Sequence, residues 1–109
     1  MAFTYKVLAQ SAPSATTSTD IYTVGAGKQA VVSTITVANR GASASSYRIS
    51  VRPAGATLAN QHYLAYDIAI AANDTTVLTI GLTLEATDVV TVYALSANLS
   101  FGIYGTEIA

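Results

Sequence analysis

The chain has 109 residues, of which only 10% are charged, and its formal net charge is -1. Charged side chains make up about 25% of an average soluble domain, so this chain has fewer than half of the usual number. The near-neutral charge excludes the basic surface that nucleic-acid binding requires. The charge deficit means that Ser, Thr and Ala cover most of the surface, or that partner molecules cover it.

The chain has no cysteine, which excludes disulfides, thiolate catalysis and zinc sites built on cysteine. Its first residues lack the basic and apolar regions of a secretory signal, and no apolar run approaches the roughly 18 residues of a membrane span. A chain of this length allows one domain. We therefore expect one domain with neither a leader nor a membrane segment.

Short runs rich in β-branched and aromatic residues recur along the chain, separated by Gly, Asn, Asp, Pro and Ser. No segment has the periodicity of an amphipathic helix. We predict eight strands, at residues 3–10, 20–24, 29–39, 46–52, 62–70, 75–84, 89–95 and 99–104. This spacing is typical of an all-β protein, and we predict a single-domain antiparallel β-sandwich of the jelly-roll type.

Alternation within the predicted strands indicates which side chains face the core. In the third strand, the alternation puts Val31 and Ile35 on one face and Val32 on the other. Tyr63 and Tyr66 differ in parity, so we expect them to point to opposite faces of their sheet.

Two local features predict backbone geometry. Gly81 lies inside the sixth predicted strand, which indicates a bulge or a close approach of another backbone. Residues 39–41, Asn-Arg-Gly, have the composition of a hairpin turn, because Asn and Gly tolerate positive φ.

The first predicted strand carries the large side chains of Phe3, Tyr5 and Val7, and a linker of small residues follows it up to residue 18. A free apolar strand must pair, because an open edge promotes aggregation. It either joins the sheet of its own chain or reaches a neighbouring subunit by strand addition or swapping. We predict an N-terminal arm strand and linker at 1–18 and a β-sandwich domain at 19–109.

The sequence contains no recognisable catalytic or metal-binding motif. His62, the only histidine, has no marked Ser or Asp partner, and we interpret it as a surface or interface residue. The acidic residues are dispersed, and Glu85 and Asp88 share a turn in which they bond to the local backbone. Residues 25–28, Gly-Ala-Gly-Lys, depart from the phosphate-loop pattern GxxxxGK[ST]. We expect no enzyme activity, no cofactor and no metal.

The tyrosines and arginines are the candidates for contacts with other proteins. Tyrosine is enriched in interfaces because its ring is apolar and its hydroxyl is polar. Arg48 and Arg52 lie on the outer face of one predicted strand, near Arg40, and we favour salt bridges to an acidic partner over a solvated face. The candidate contacts are Phe3, Tyr5, Val7, Arg48, Arg52, His62 and Tyr63.

Nearly the whole chain resembles a family of small tailed-phage virion structural proteins, of the kind known from cyanophages. The resemblance is carried by residues 22–55 (YTVGAGKQAVVSTITVANRGASASSYRISVRPAG), 60–94 (NQHYLAYDIAIAANDTTVLTIGLTLEATDVVTVYA) and 99–109 (LSFGIYGTEIA). It rests on a pattern of strands and turns, and it carries over no binding residues. The resemblance implies a non-enzymatic β-sandwich protein of the virion, assembled in the host cytoplasm.

Within that class we expect a capsid decoration or cement protein that self-associates, with a trimer favoured. Its partners would be the major capsid protein or other virion proteins, with no nucleic acid and no membrane. A tail, neck or baseplate component is the first alternative. A tail-borne carbohydrate-binding module, using Tyr63, Tyr93 or Tyr104, is another, although the chain lacks the Trp that sugar sites favour. A small hydrolase built around His62 is the third.

Overall fold

The computed structural model describes all 109 residues and contains eight strands and two short 3-10 turns. The strands are β1 (Phe3–Ser11), β2 (Thr19–Thr23), β3 (Gln29–Asn39), β4 (Ser45–Arg52), β5 (Tyr63–Ile70), β6 (Thr75–Glu85), β7 (Val89–Ala94) and β8 (Leu99–Ile108). The 3-10 turns cover Pro53–Gly55 and Asn60–His62. All eight predicted strands are present, and their ends differ from the prediction by at most one residue, except that β8 runs further, to Ile108.

The strands form two four-stranded antiparallel sheets that pack face to face. Sheet 1 has the order β1-β8-β3-β6, and sheet 2 has the order β2-β7-β4-β5. Most connections cross from one sheet to the other, so only β4 and β5 are neighbours both in sequence and in a sheet. This order is that of a jelly roll built from two Greek keys, and it confirms the predicted fold class.

The predicted hairpin at residues 39–41 is wrong, because β3 and β4 belong to different sheets. Asn39 is buried, and its side chain holds the crossing in place. Its Nδ2 donates to the carbonyl oxygens of Ser43 at 2.9 Å and Ala71 at 3.2 Å. Its Oδ1 accepts from the backbone N–H of Gly41 at 2.9 Å. A residue that suggests a tight turn therefore ties together two separate loops at one end of the sandwich.

Strand β1 pairs with β8 of the same chain, from Phe3 opposite Ile108 to Ser11 opposite Phe101. Of the two pairings expected for this strand, the structure has the one within its own sheet. β1 forms one edge of sheet 1, and the linker that follows it contains the buried Pro13. The division into an arm at 1–18 and a domain at 19–109 stays a prediction.

The core lies between the sheets and consists of apolar side chains from strands of both. Tyr47 of β4 and Phe101 of β8 meet edge to face across the core, with ring centroids 6.3 Å apart. This arrangement suits the quadrupoles of the two rings. The buried cluster comprises Tyr22, Val24, Ala30, Val32, Ile35, Val37, Tyr47, Ile49, Ile70, Leu84, Val90, Val92, Ala94, Leu99, Phe101 and Ile103.

A bulge in sheet 1 changes which side chains of β3 face the core. Val32 and Ile35 are both fully buried, so the predicted assignment of these residues to opposite faces is wrong. The register of β3 shifts between Val32 and Thr34 against both of its neighbours. A bulge adds a residue to one strand and so reverses the alternation beyond it. The same irregularity lies opposite residues 79–82 of β6, which confirms the bulge predicted from Gly81.

Candidate functional site

The outer face of sheet 1 carries almost no charge. Residues directly opposite each other across antiparallel strands share a face, so the observed registers identify the outward side chains. They are Phe3, Tyr5, Val7, Gln10, Gln29, Val31, Thr34, Thr36, Ala38, Thr75, Val77, Thr79, Thr83, Glu85, Ser100, Tyr104, Thr106 and Ile108. The only charged residue among them is Glu85, at the end of β6. We call this surface the neutral face.

Three large side chains stand on the neutral face at its β1 edge. Tyr5 is 79% exposed, and Phe3 and Val7 are about half exposed. They lie opposite Thr106, Ile108 and Tyr104 of β8. Because they alternate along one strand, they form a continuous row, which we call the β1 strip. These three residues were predicted to be contact residues, and in the structure they are neighbours with solvent-exposed side chains.

The outer face of sheet 2, in contrast, carries charged side chains, and these are paired with one another within the chain. Nε of Arg48 donates to Asp67 Oδ1 at 2.6 Å, and this hydrogen bond raises the pKa of the guanidinium further above its ordinary value. The same guanidinium lies over the rings of Tyr66 and Tyr93, 4.2 and 4.4 Å from their centroids. Such stacking is the usual arrangement of Arg with aromatic rings.

Arg52 is held in a similar way. Its Nη2 donates to Asp20 Oδ2 at 2.8 Å and its Nε donates to Thr91 Oγ1 at 3.1 Å. Arg40, at the far end of the sandwich, donates to Ser100 Oγ and to a backbone carbonyl. Each of the three arginines thus already has partners within the chain, and contact with an acidic partner surface stays a prediction.

His62 and Tyr63 lie where the second 3-10 turn meets β5. Nδ1 of His62 accepts a hydrogen bond from the backbone N–H of Ala59 at 3.0 Å, so the imidazole closes its own turn. The rings of Tyr63 and Tyr66 are 4.9 Å apart and meet edge to face, so the two side chains share a face. The predicted opposite parity is wrong because β5 has register shifts against β4 on both sides of Ala65.

An apolar groove opens between β5 and β6, where the two sheets part. Its volume is about 430 Å³, within the range of small ligand sites. Leu64 is 50% exposed at its rim, and Ile68 is similarly exposed. The lining residues are Ile35, Tyr47, Ile49, Leu64, Ala65, Ile68, Thr76, Leu78, Ile80 and Leu82. None of them is charged, and we call this feature the edge groove.

At the other edge of the sandwich, where β1 and β2 lie, a charged cluster joins the two sheets. Glu107 of β8 accepts a hydrogen bond from the Tyr22 hydroxyl at 2.8 Å and forms a salt bridge with Lys6 at 2.9 Å. The cluster therefore joins β1, β8 and β2, and so both sheets. The hydrogen bonds from Lys6 and Tyr22 lower the pKa of Glu107 below its ordinary value. Burial, together with the hydrogen bond to Glu107, raises the pKa of Tyr22.

This cluster predicts an acid-sensitive edge. A carboxyl whose pKa is lower in the folded chain than in the unfolded one stabilises the fold above the unfolded value, here 4.5. That stability is lost as the pH falls through the folded pKa. We expect Glu107→Gln to flatten the dependence of unfolding free energy on pH below about 4.5, measured by urea unfolding at several pH values. Glu85→Gln, at an exposed residue whose side chain has no hydrogen-bond partner, is the control. Equal pH slopes for Glu107→Gln and the unmodified chain would contradict the prediction.

The structure divides the predicted contact residues between two surfaces. Phe3, Tyr5 and Val7 belong to sheet 1, whereas the other four lie on sheet 2 or at its margin. Tyr63 and Tyr93 share the outer face of sheet 2, but Tyr104 lies on the neutral face, so these three rings do not form one site. The edge groove was not predicted, because strand order decides which strands lie at an edge. The one signal of the edge groove in the sequence was the alternation of apolar residues with uncharged polar residues along β6.

No group of three or more His, Asp or Glu side chains is arranged to hold a metal ion. The predicted turn bonding is present, because Asp88 Oδ2 accepts from the backbone N–H of Glu85 at 2.9 Å. No helix is long and apolar enough to cross a membrane. Comparisons with models of protein families, with curated proteins and with solved structures found no match.

Proposed function

We propose that this chain is a non-enzymatic structural protein of a phage virion, acting as a decoration or cement protein on the capsid. In this role it self-associates, with a trimer favoured, and binds the major capsid protein or another virion protein. The mechanism is mechanical: each copy bridges neighbouring capsomers, and many weak contacts add up through avidity.

The observation that carries the proposal is the neutral face. It spans four strands, and its side chains are Thr, Ser, Ala, Val, Ile, Gln, Tyr and Phe. Charge is confined to its margins, at Glu85 and at Arg40, whose guanidinium bonds to Ser100. A partner that covers such a surface does not have to desolvate its charged groups, and desolvation of charge is the largest cost in burying polar groups. Depletion of charge with aromatic residues present is also the composition of interface cores. The other outer face, with its internal ion pairs, suits exposure to solvent.

The fold and the resemblance of the chain to tailed-phage virion proteins support the same proposal. Jelly rolls build many viral capsid domains, although they also occur in lectins and cupins. Because one fold serves several functions, the proposal is supported chiefly by the neutral face and only secondarily by the fold.

Attachment to particles tests the proposal. Thr79→Lys puts a positive charge at an exposed position of the neutral face, and we expect it to weaken attachment to heads by about 3 kcal/mol, or roughly 100-fold. The matched control is Thr23→Lys, at an exposed threonine of β2. Co-sedimentation with heads measures the binding. Equal binding by the two variants would contradict the use of the neutral face.

The position of the protein in an electron-microscopy map of the virion separates the alternatives. Density on the head lattice is expected for a decoration protein, and density confined to the tail, neck or baseplate would replace that role with the first alternative. Absence of the protein from purified particles would overturn the virion proposal altogether.

A second candidate function, carbohydrate binding, is favoured by one observation. Asn60, Tyr63 and Tyr66 line a shallow hollow of about 260 Å³. An amide beside an aromatic ring can bind a sugar through hydrogen bonds and ring contact. A glycan array tests this function, with Tyr63→Ala expected to abolish any binding that is found.

A further inference from the structure

The edge groove lies beside a strand edge that nothing covers. β6 is 11 residues long and forms the outer edge of sheet 1, so one side of its backbone has no strand partner. From Thr75 to Leu84 it has neither a charged residue nor a proline, the devices with which proteins usually protect such edges. A long uncharged edge beside an apolar groove is a surface for protein association.

The chain itself carries a surface of matching chemistry at its other edge. The β1 strip is apolar and exposed, and its three residues alternate on one strand. Neither the strip nor the edge groove includes a charged side chain, so bringing them together leaves no charge unpaired. β1 and β6 are the two opposite edges of sheet 1, so one copy cannot place its own strip in its own groove.

We infer that the β1 strip of one copy packs into the edge groove of the next copy. Phe3 and Tyr5 enter between β5 and β6 of the neighbour and cover Leu64 and Ile68. The contact joins two different surfaces, so it is heterologous, and repeated with rotation it closes into a ring such as a trimer. The inference rests on the self-association in the proposed function and names the surfaces that produce it.

The areas involved are consistent with a ring. An aromatic side chain has about 200 Å² of surface to bury, so Phe3 and Tyr5 alone leave roughly 270 Å² in water. A standard interface buries about 800 Å² on each partner, so the strip supplies about a third and the flanking strand edges supply the rest. In a closed ring each copy buries both its strip and its groove, which doubles the area covered per copy.

Engineered cysteines test the contact directly, because the chain has none of its own. Tyr5→Cys combined with Leu64→Cys should give disulfide-linked dimers and trimers on a non-reducing gel. Tyr5 lies on β1, which is three strand spacings or about 14 Å from β6 across sheet 1, and Leu64 lies beyond β6 on β5 of sheet 2, so the two cysteines cannot bridge within one copy. Tyr5→Cys with Leu95→Cys is the matched control, because Leu95 is 53% exposed but lies outside the groove. Equal cross-linking of the two pairs would overturn the inference.

Mixing of complementary variants tests whether the contact is heterologous. Tyr5→Arg destroys the strip and keeps the groove, whereas Leu64→Arg destroys the groove and keeps the strip. Analytical ultracentrifugation should find each variant monomeric, and an equimolar mixture should form a dimer of twice the monomer mass. Leu95→Arg should keep the oligomer of the unmodified chain, and circular dichroism checks that each variant folds. A mixture that stays monomeric would overturn the contact.

Two further results would also overturn the inference. One is a chain that stays monomeric at every concentration, and the other is a small apolar molecule found in the groove by native mass spectrometry. Failure of this contact can be distinguished from failure of the proposed function. If the chain is monomeric but still attaches to particles, only the proposed ring is refuted. If the protein is absent from particles, the virion role is refuted, whatever the groove binds.

Discussion

Replacing Gly105 with alanine is expected to lower the free energy of unfolding by about 3 kcal/mol. A Cβ on this residue of β8 would lie 2.0 Å from the carbonyl oxygen of Val31 and 3.0 Å from the Cα of Val32. Both neighbours are backbone atoms of β3, next to its bulge, so no side-chain rotation relieves the overlap. The sheet must open at its centre, where β8 and β3 pair.

Gly81→Ala is the matched control for this prediction. Gly81 is also inside a strand of sheet 1, but a Cβ there would meet no atom within 4 Å. We expect this variant to be as stable as the original chain or slightly more so, because alanine reduces the freedom of the unfolded chain. Urea unfolding followed by circular dichroism measures both variants. Equal stability of Gly105→Ala and Gly81→Ala would contradict the close approach of β3 and β8.

Asn39→Ala should have a comparable effect, lowering the free energy of unfolding by about 3 kcal/mol. The change leaves the carbonyl oxygens of Ser43 and Ala71 and the N–H of Gly41 without their side-chain partner. Asn39 is itself only 3% exposed, so water does not easily replace the lost hydrogen bonds. An unsatisfied buried polar group costs about 1–3 kcal/mol.

Asn60→Ala controls for the loss of an amide as such, because Asn60 is exposed and its side chain makes no hydrogen bond. We expect a change within about 0.5 kcal/mol for this variant. Hydrogen exchange should also detect faster opening of the two loops joined by Asn39, at residues 40–44 and 71–74, in Asn39→Ala. A loss of stability below 1 kcal/mol would show that this side chain does not hold the sheets at their crossing.

The candidate surfaces were predictable only in part. The β1 strip follows from alternation within one strand, since Phe3, Tyr5 and Val7 are spaced by two residues and no bulge separates them. The faces of Tyr63 and Tyr66 were not predictable, because bulges depend on how β5 pairs with β4. The partners of Arg48 and Arg52 were also hidden, since Asp67 and Asp20 are distant in sequence and meet them only through the fold.

By itself, the sequence determined the number of strands, nearly all their ends, and a sandwich whose surface carries little charge. These properties follow from local composition, because β-branched runs and turn residues act within a few positions of themselves. Only the tertiary structure decided the strand order, the bulges, the internal pairing of the arginines, and which strands lie at the edges of the two sheets. Those features come from pairing between residues far apart in the chain. That pairing therefore determined where the few charged side chains lie, and it left the outer face of sheet 1 nearly free of charge.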